Sequence, residues 1–203
     1  MPARRLVLAS TSPYRRELLA RLRWPFDVVA PHVDERPSDR ETPAETAVRL
    51  ALAKADAVAA GDVDAVVIGS DQVADLEGRA IGKPGDHERA RAQLAAMRGR
   101  TVIFHTAVAV VCRANSFRGA ERVSVTVRFR DLTDDEIERY LRAETPYDCA
   151  GSAKIETLGI ALVASVASTD PTALIGLPLI ATCALLRAAG IDPLAADAPA
   201  ATP

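Results

Sequence analysis

The chain has 203 residues, 49% of them hydrophobic and 26% charged, with a net charge of −2. That is enough apolar chain for one α/β domain, or two small lobes, with an ample core, and the near-neutral balance argues against a large sequence-independent nucleic-acid surface. Aromatic residues make up 4%, too few for a base-stacking platform, and no run approaches the roughly 18 apolar residues of a membrane span.

The N-terminal MPARRLVLAS carries two arginines and a short apolar run, which fits a buried first strand over residues 5–9 and not a signal peptide. Ser12 then caps a helix with Pro13 at its first position and Leu18, Leu19 and Leu22 on its inner face. A second strand over 26–30 leads into the polar loop PHVDERPSDRE. Thr42 to Glu45 is a capping box, opening a helix that runs to about Ala60. Residues 65–69 read as a fully buried strand that breaks at Gly69-Ser70-Asp71, and Glu77-Gly78 as the turn of a hairpin. Asp86 caps a helix ending at Gly99, and residues 101–112 form a long apolar strand. In 121–130, Val123, Val125, Val127 and Phe129 alternate with polar residues, the pattern of a half-exposed antiparallel strand. A second capping box at Thr133–Glu136 opens a helix to about Ala143; a strand over 160–166 and a last helix, Leu179 to Ala189, follow. The expected fold class is α/β: an elongated mixed β-sheet flanked by helices, with two lobes around a deep cleft. Residues 1–192 read as a single domain, and 193–203, rich in Ala and Pro, as a disordered tail.

Of 25 basic residues only Lys54, Lys83 and Lys154 are lysines; the other 22 are arginines. A chain that uses arginine so freely keeps lysine where a compact point charge is needed and a planar fork will not serve. Cys112, Cys149 and Cys183 have no metal-ligand spacing and read as free core thiols of a reducing, cytoplasmic compartment. His32, His87 and His105 also lack zinc-site spacing and read as ordinary surface or packed histidines.

In LASTSPYRREL, Ser10 and Ser12 stand where a strand ends and a helix begins, so free backbone N–H groups, two hydroxyls and the helix dipole favour an anion. Arg15 and Arg16 oppose that dipole unless a negative ligand is expected, and at least one can turn back toward it; the other reading is a surface helix start with solvated arginines. VDERP, read alone, is a solvated loop; Lys54, read alone, is a lysine on a solvated helix face, raised in rank only by the scarcity of lysine. Asp71, at the carboxyl end of the buried strand, reads either as a group placed to hold Mg²⁺ or take a proton from water, or as a turn former alone. IGKPG returns Lys83 toward the same end, and CAGSAKIET places Lys154 and Glu156 in a glycine-loosened loop.

LASTSPYRREL, PHVDERP, ETAVRLALAKA, VIGSDQV, IGKP, YDCAGSAKIETLGI and DPTALIGLPLI, in this order from about residue 5 to 194, resemble the Maf family of nucleoside triphosphate pyrophosphatases. The resemblance implies an elongated α/β fold with a deep cleft, hydrolysis of a nucleoside triphosphate to the monophosphate and pyrophosphate with a divalent cation (Mg²⁺ or Mn²⁺), and a homodimer. It implies that Tyr14, Gln72 and Glu156 sort the substrate. GSDQV and CAGSAKIE are similar to the 7-methyl-GTP branch, a house-cleaning activity against modified nucleotides, and not to the dTTP/UTP branch, which carries Thr or a similar residue after the aspartate and Gln at the last position. Tyr14 stands where the first branch usually carries tryptophan. Ser10, Ser12, Arg15, Arg16, Lys54 and Lys83 are then expected to bind the phosphates, and Glu35 and Asp71 to hold the metal and activate water. The expected partner is a nucleoside triphosphate, with no nucleic acid and no membrane. The rival expectations are a pyrophosphatase for other triphosphates and a non-catalytic nucleotide sensor of septation.

Overall fold

The computed structural model describes residues 4–36, 38 and 40–195; from residue 196 onward the tail expected to be disordered lies outside the described residues. Side-chain caps set four helix starts. Ser12 accepts from the Arg15 N–H at the head of α1 (Pro13–Ala20), and Thr42 shares a full capping box with Glu45 at the head of α2 (Pro43–Ala59). Asp86 caps α3 (His87–Met97), and Thr133 with Glu136 caps α4 (Asp134–Glu144). The fifth helix, α5 (Leu179–Ala189), begins after Pro178 without a cap of its own. Buried Asp170 serves instead, its Oδ2 accepting from Ile180 N–H at 2.7 Å while Oδ1 holds the Thr172 N–H and hydroxyl.

Among the described residues seven strands form one sheet: β1 (Leu6–Ala9), β2 (Phe26–Val29), β3 (Val66–Leu76), β4 (Arg79–Ile81), β5 (Thr101–Cys112), β6 (Phe117–Phe129) and β7 (Val163–Ala167). The order is β2-β1-β3-β5-β6-β7, with β4 paired to β3. β1 is parallel to β2 and β3; every other pair is antiparallel. The mixed α/β class read from the sequence is the observed one. The two-residue β3–β4 loop has positive φ at both Glu77 and Gly78, as a type I′ hairpin turn requires.

Three elements depart from the sequence expectation. β3 does not end at Gly69-Ser70-Asp71 but continues to Leu76, because its antiparallel ladder with β5 runs unbroken from Val67↔Val111 to Asp75↔Ile103. β6 starts at Phe117, four residues early, for the same reason: its ladder with β5 reaches back to Cys112↔Phe117. The last strand begins at Val163, since 158–162 are wound as a 3₁₀ turn.

Two apolar cores share one face of the sheet. Leu6, Leu8, Val66, Ile68, Val108 and Val110 pack against Leu18 and Leu19 of α1 and Leu185 and Leu186 of α5. Ala74, Val102, Phe104, Val125, Val127 and Phe129 pack against Leu94 of α3 and Ile137 and Leu141 of α4. The polar side chains Ser70, Gln72 and Thr106 fall between the two cores and bond to the chain at 173–176. Gln72 Nε2 donates to the Ala173 and Leu174 carbonyls, Thr106 Oγ1 to Ala173 O, and Ser70 Oγ to Gly176 O. The opposite face carries α2, whose Ala47, Ala51, Ala55 and Ala59, one turn apart and fully buried, let the helix lie close on β3.

Candidate active site

One edge of β3 is taken by β1 through Gly69 and by β4 from Ala74 onward, which leaves residues 70–73 of that edge bare. A cleft of about 560 Å³ opens there, bounded by the Ser10–Arg15 turn, α2, the Lys83 loop, residues 148–156 and residues 174–176. Asp71 therefore sits mid-strand and not at a strand's end as expected, yet at the point where the parallel part of the sheet stops. A wider groove of about 920 Å³ on the outer side of α2 contains none of the expected site residues, and its Arg49 and Arg118 are paired with Glu41 and Asp56.

The centre of the cleft is an ion triad. Lys54 is 5% exposed and lies 2.6 Å from Asp71 and 2.8 Å from Glu35. The solvated-lysine reading of position 54 is thereby overturned: Lys54 follows Leu50 by four residues and Ala51 by three, so it shares the inward face of α2. The solvated-loop reading of VDERP holds for Asp34, which is exposed and pairs with Arg36, and fails for Glu35, which turns in to Lys54. Desolvation raises the Glu35 carboxyl, but the Lys54 hydrogen bond and the charges of Lys54, Lys83 and Arg15 outweigh it and hold the group below its ordinary value.

Arg15 and Arg16 separate cleanly. Arg15 precedes Leu18 and Leu19 by three and four residues, shares their inward face, and donates from Nε to Gly176 O at 2.9 Å. Burial lowers its pKa, with Asp71 and Glu35 opposing that shift. Arg16 is exposed and outside the cleft lining, so the structure does not bring it to the phosphate site expected for it. Ser10, Ser12, Lys83, Tyr14, Gln72 and Glu156 all line the cleft. The Ser10 hydroxyl accepts from the Ser12 N–H and the Ser12 hydroxyl from the Arg15 N–H, which fixes the turn. Gln72 spends its amide N–H groups on Thr106 and on residues 173–174, so its reach toward a ligand is through Oε1 and through the 174–176 wall it anchors.

At the other end of the cleft stands a second charged group, which sequence reasoning found only in part. Lys154 lies 5.8 Å from the centroid of the Tyr14 ring, within cation–π range, and 3.5 Å from Asp148. The Tyr14 hydroxyl donates to Asp148 at 3.4 Å. Desolvation pulls the Lys154 ammonium down, but Tyr14 and Asp148 outweigh it and hold its pKa above the ordinary value. Glu156, exposed at the rim, has its carboxyl pushed up by desolvation, with Lys154 opposing and Glu144 and Asp148 adding to the rise. Asp148 lies outside the set of site residues expected from the sequence; its signal there is an acid in the same loop as Lys154 and Glu156. Cys149 is not the buried core thiol expected but part of the lining, its pKa pushed up to about 12 by burial and by Asp148, so it is no thiolate nucleophile. Cys183 is half-buried, and only Cys112 is a true core thiol.

Among the described residues no three His, Cys, Asp or Glu side chains gather into a metal cage. Two carboxylates on one ammonium do fit a hard divalent ion that takes its remaining oxygens from water and from phosphates.

Fold and cleft define the class: a mixed-sheet α/β protein whose carboxylates and cations converge at the break in a parallel ladder. The family model described as Maf-like protein matches residues 5–189. The chain is 63% identical over 193 residues to a 7-methyl-GTP pyrophosphatase of Albidiferax ferrireducens, covering 95% of this chain and 97% of that one. It is 65% identical over 189 residues to the protein of the same name from Polaromonas sp., covering 93% and 86%, and 60% identical over 200 residues to that of Burkholderia thailandensis, covering 97% and 93%. The chain belongs to the Maf-like family.

Proposed function

We propose that this chain hydrolyses 7-methyl-GTP to 7-methyl-GMP and pyrophosphate. The observation that carries the reading is the Glu35–Lys54–Asp71 triad, set between the Ser10–Arg15 turn and Lys83 in a cleft large enough for a nucleotide. Relatives that align over nearly their whole length bear the name of that activity.

In this reading the triphosphate crosses the Ser10–Arg15 turn, where Arg15, Lys54 and Lys83 neutralise it and the backbone N–H groups at the head of α1 add donors. Arg16 has no part. A divalent cation, Mg²⁺ or Mn²⁺, held by Glu35 and Asp71, would neutralise phosphate charge and make water easier to deprotonate. Asp71 orients the attacking water and takes its proton. A bond forms from that oxygen to the α-phosphorus, the bond to the bridging oxygen of the β-phosphate breaks, and pyrophosphate departs. Carboxylates are ordinarily weak bases near neutrality, so positioning and charge stabilisation are the larger contributions.

Glu156 reads the base: its carboxylate accepts from guanine N1–H and the 2-amino group, whereas uracil and thymine present carbonyls beside their single N–H and are repelled. Tyr14 offers an aromatic face to the cationic ring, and Gln72 shapes the wall. The proposal extends to a single catalytic domain over 1–192, supported by a family match that nearly fills it, and to a cytoplasmic homodimer. Free cysteines fit a reducing compartment, and among the described residues no helix is long and apolar enough to cross a membrane.

The test is pyrophosphate release from a panel of 7-methyl-GTP, GTP, UTP and dTTP, with Asp71→Asn alongside. 7-Methyl-GTP should be the best substrate, and Asp71→Asn should lower kcat by about 10²-fold or more with KM little changed. Near-normal turnover by the variant removes Asp71 from the mechanism. A preference for UTP or dTTP defeats the substrate assignment, and binding without turnover makes the protein a sensor.

A further inference from the structure

The cleft contains two electrostatic groups. In the first, Arg15, Lys54 and Lys83 interact with Glu35 and Asp71: three cations against two carboxylates. In the second, Lys154 lies 3.5 Å from Asp148 and against Tyr14, and Glu156 shares the cleft lining with Asp148: one cation against two carboxylates. One end of the cleft is thus net positive and the other net negative. The first suits a polyphosphate. The second is suited to a positive charge, which a neutral purine lacks and an N7-methylated guanine carries.

We propose that Asp148 is a specificity-determining residue that reads the positive charge of the methylated base, and that Lys154 sets how much of that charge is left to read. The inference rests on the proposed 7-methyl-GTP reading for its substrate and goes beyond the Tyr14, Gln72 and Glu156 assignment. Asp148 lines the cleft and its side chain is more than half exposed, so its carboxylate is open to a ligand there. Its two oxygens are oriented, Oδ2 by the Tyr14 hydroxyl and Oδ1 by Lys154. Lys154 is not itself part of the lining and is only 15% exposed. It stands against Asp148 and over the Tyr14 ring from behind the lining, and cancels part of the negative potential there. That the spot holds an ammonium against an aromatic face and a carboxylate shows the chemistry it accepts: a cation with a flat or apolar flank. The desolvated Glu156 carboxyl, pushed up further by Asp148, is relieved when a cationic base arrives.

Opposite signs for two substitutions separate charge reading from scaffolding. The ratio of kcat/KM for 7-methyl-GTP over GTP is measured for the wild-type protein, Asp148→Asn and Lys154→Gln, with thermal melts to confirm folding. Binding of 7-methyl-GMP and GMP is measured by calorimetry on the same samples. Asp148→Asn, which keeps the side-chain shape and loses the charge, should lower the ratio about threefold to tenfold; Lys154→Gln should raise it by a similar factor. Ratios that stay at the wild-type value, or that move in one direction for both variants, overturn the proposal. If neither the wild-type protein nor either variant releases pyrophosphate but 7-methyl-GMP binding follows the predicted signs, the hydrolase reading falls and the charge-reading role stands.

Discussion

Lys54 holds the cleft together because its ammonium is small. It meets Asp71 at 2.6 Å and Glu35 at 2.8 Å while almost fully buried, so one point charge satisfies two acids from different segments. A guanidinium is broader, planar and fixed in its donor directions. Lys54→Arg should therefore spread the two carboxylates and cut pyrophosphate release by about 10²-fold, the cost of misplacing reacting groups by about an ångström, with the fold retained. Wild-type kcat in the arginine variant would show that position 54 needs only a positive charge. The scarcity of lysine was thus an informative signal, and all three lysines occupy or adjoin the cleft: Lys54 at its centre, Lys83 on its wall and Lys154 behind Tyr14. Other residue-scale facts were legible in principle but not taken up. Arg15 shares the face of Leu18 and Leu19, and Lys54 that of Leu50 and Ala51; a helical wheel separates Arg15 from Arg16 and buries Lys54. The inward turn of Glu35 had no such signal, because it lies in a loop whose only local clue was a pair of acids.

At the scale of elements, the junction of β3 with α2 decides the geometry. Capping boxes and proline at the first helical position made helix starts readable within a residue or two, since these signals are local. The length of β3 was not readable, because Gly69-Ser70-Asp71 has the composition of a turn and the ladder that keeps it extended is supplied by β5, through the distant partners Ala109, Val108 and Ala107. Gly69 itself is there for proximity: a Cβ at this position would lie 2.2 Å from Ala51 O and 2.6 Å from Ala55 N, both backbone atoms of α2. Gly69→Ala must push α2 off the sheet, and with it Lys54 off Asp71. We expect a loss of roughly 3 kcal/mol or more, since the clash is with backbone and exceeds ordinary overpacking, together with a fall in kcat. Denaturant melts and pyrophosphate release measure the two effects. An alanine variant as stable and active as wild type would mean that α2 is free to move away from β3, which the stripe of fully buried alanines speaks against.

At the scale of the whole molecule, the sheet divides the labour. Two apolar cores on one face hold the α1–α5 and α3–α4 layers, and the polar row of Ser70, Gln72 and Thr106 ties residues 173–176 between them. The charged groups of the cleft are carried by this frame without being part of it. Stability and metal dependence should therefore separate. Lys54 satisfies both Glu35 and Asp71, and among the described residues no cluster of three ligating side chains exists to bind a metal tightly by itself. A divalent ion should thus enter with the nucleotide, using phosphate oxygens to complete its shell. Chelation by EDTA should abolish pyrophosphate release and leave the melting temperature of the free protein within about 1–2 °C. Mg²⁺ alone should stabilise little. A non-hydrolysable triphosphate with Mg²⁺ should stabilise more than either component alone, by about 2.7 kcal/mol at a hundredfold excess over Kd. A large drop in the melting temperature on chelation would instead mean that the ion is structural, and that Lys54 stands beside a permanent metal centre and not in its place.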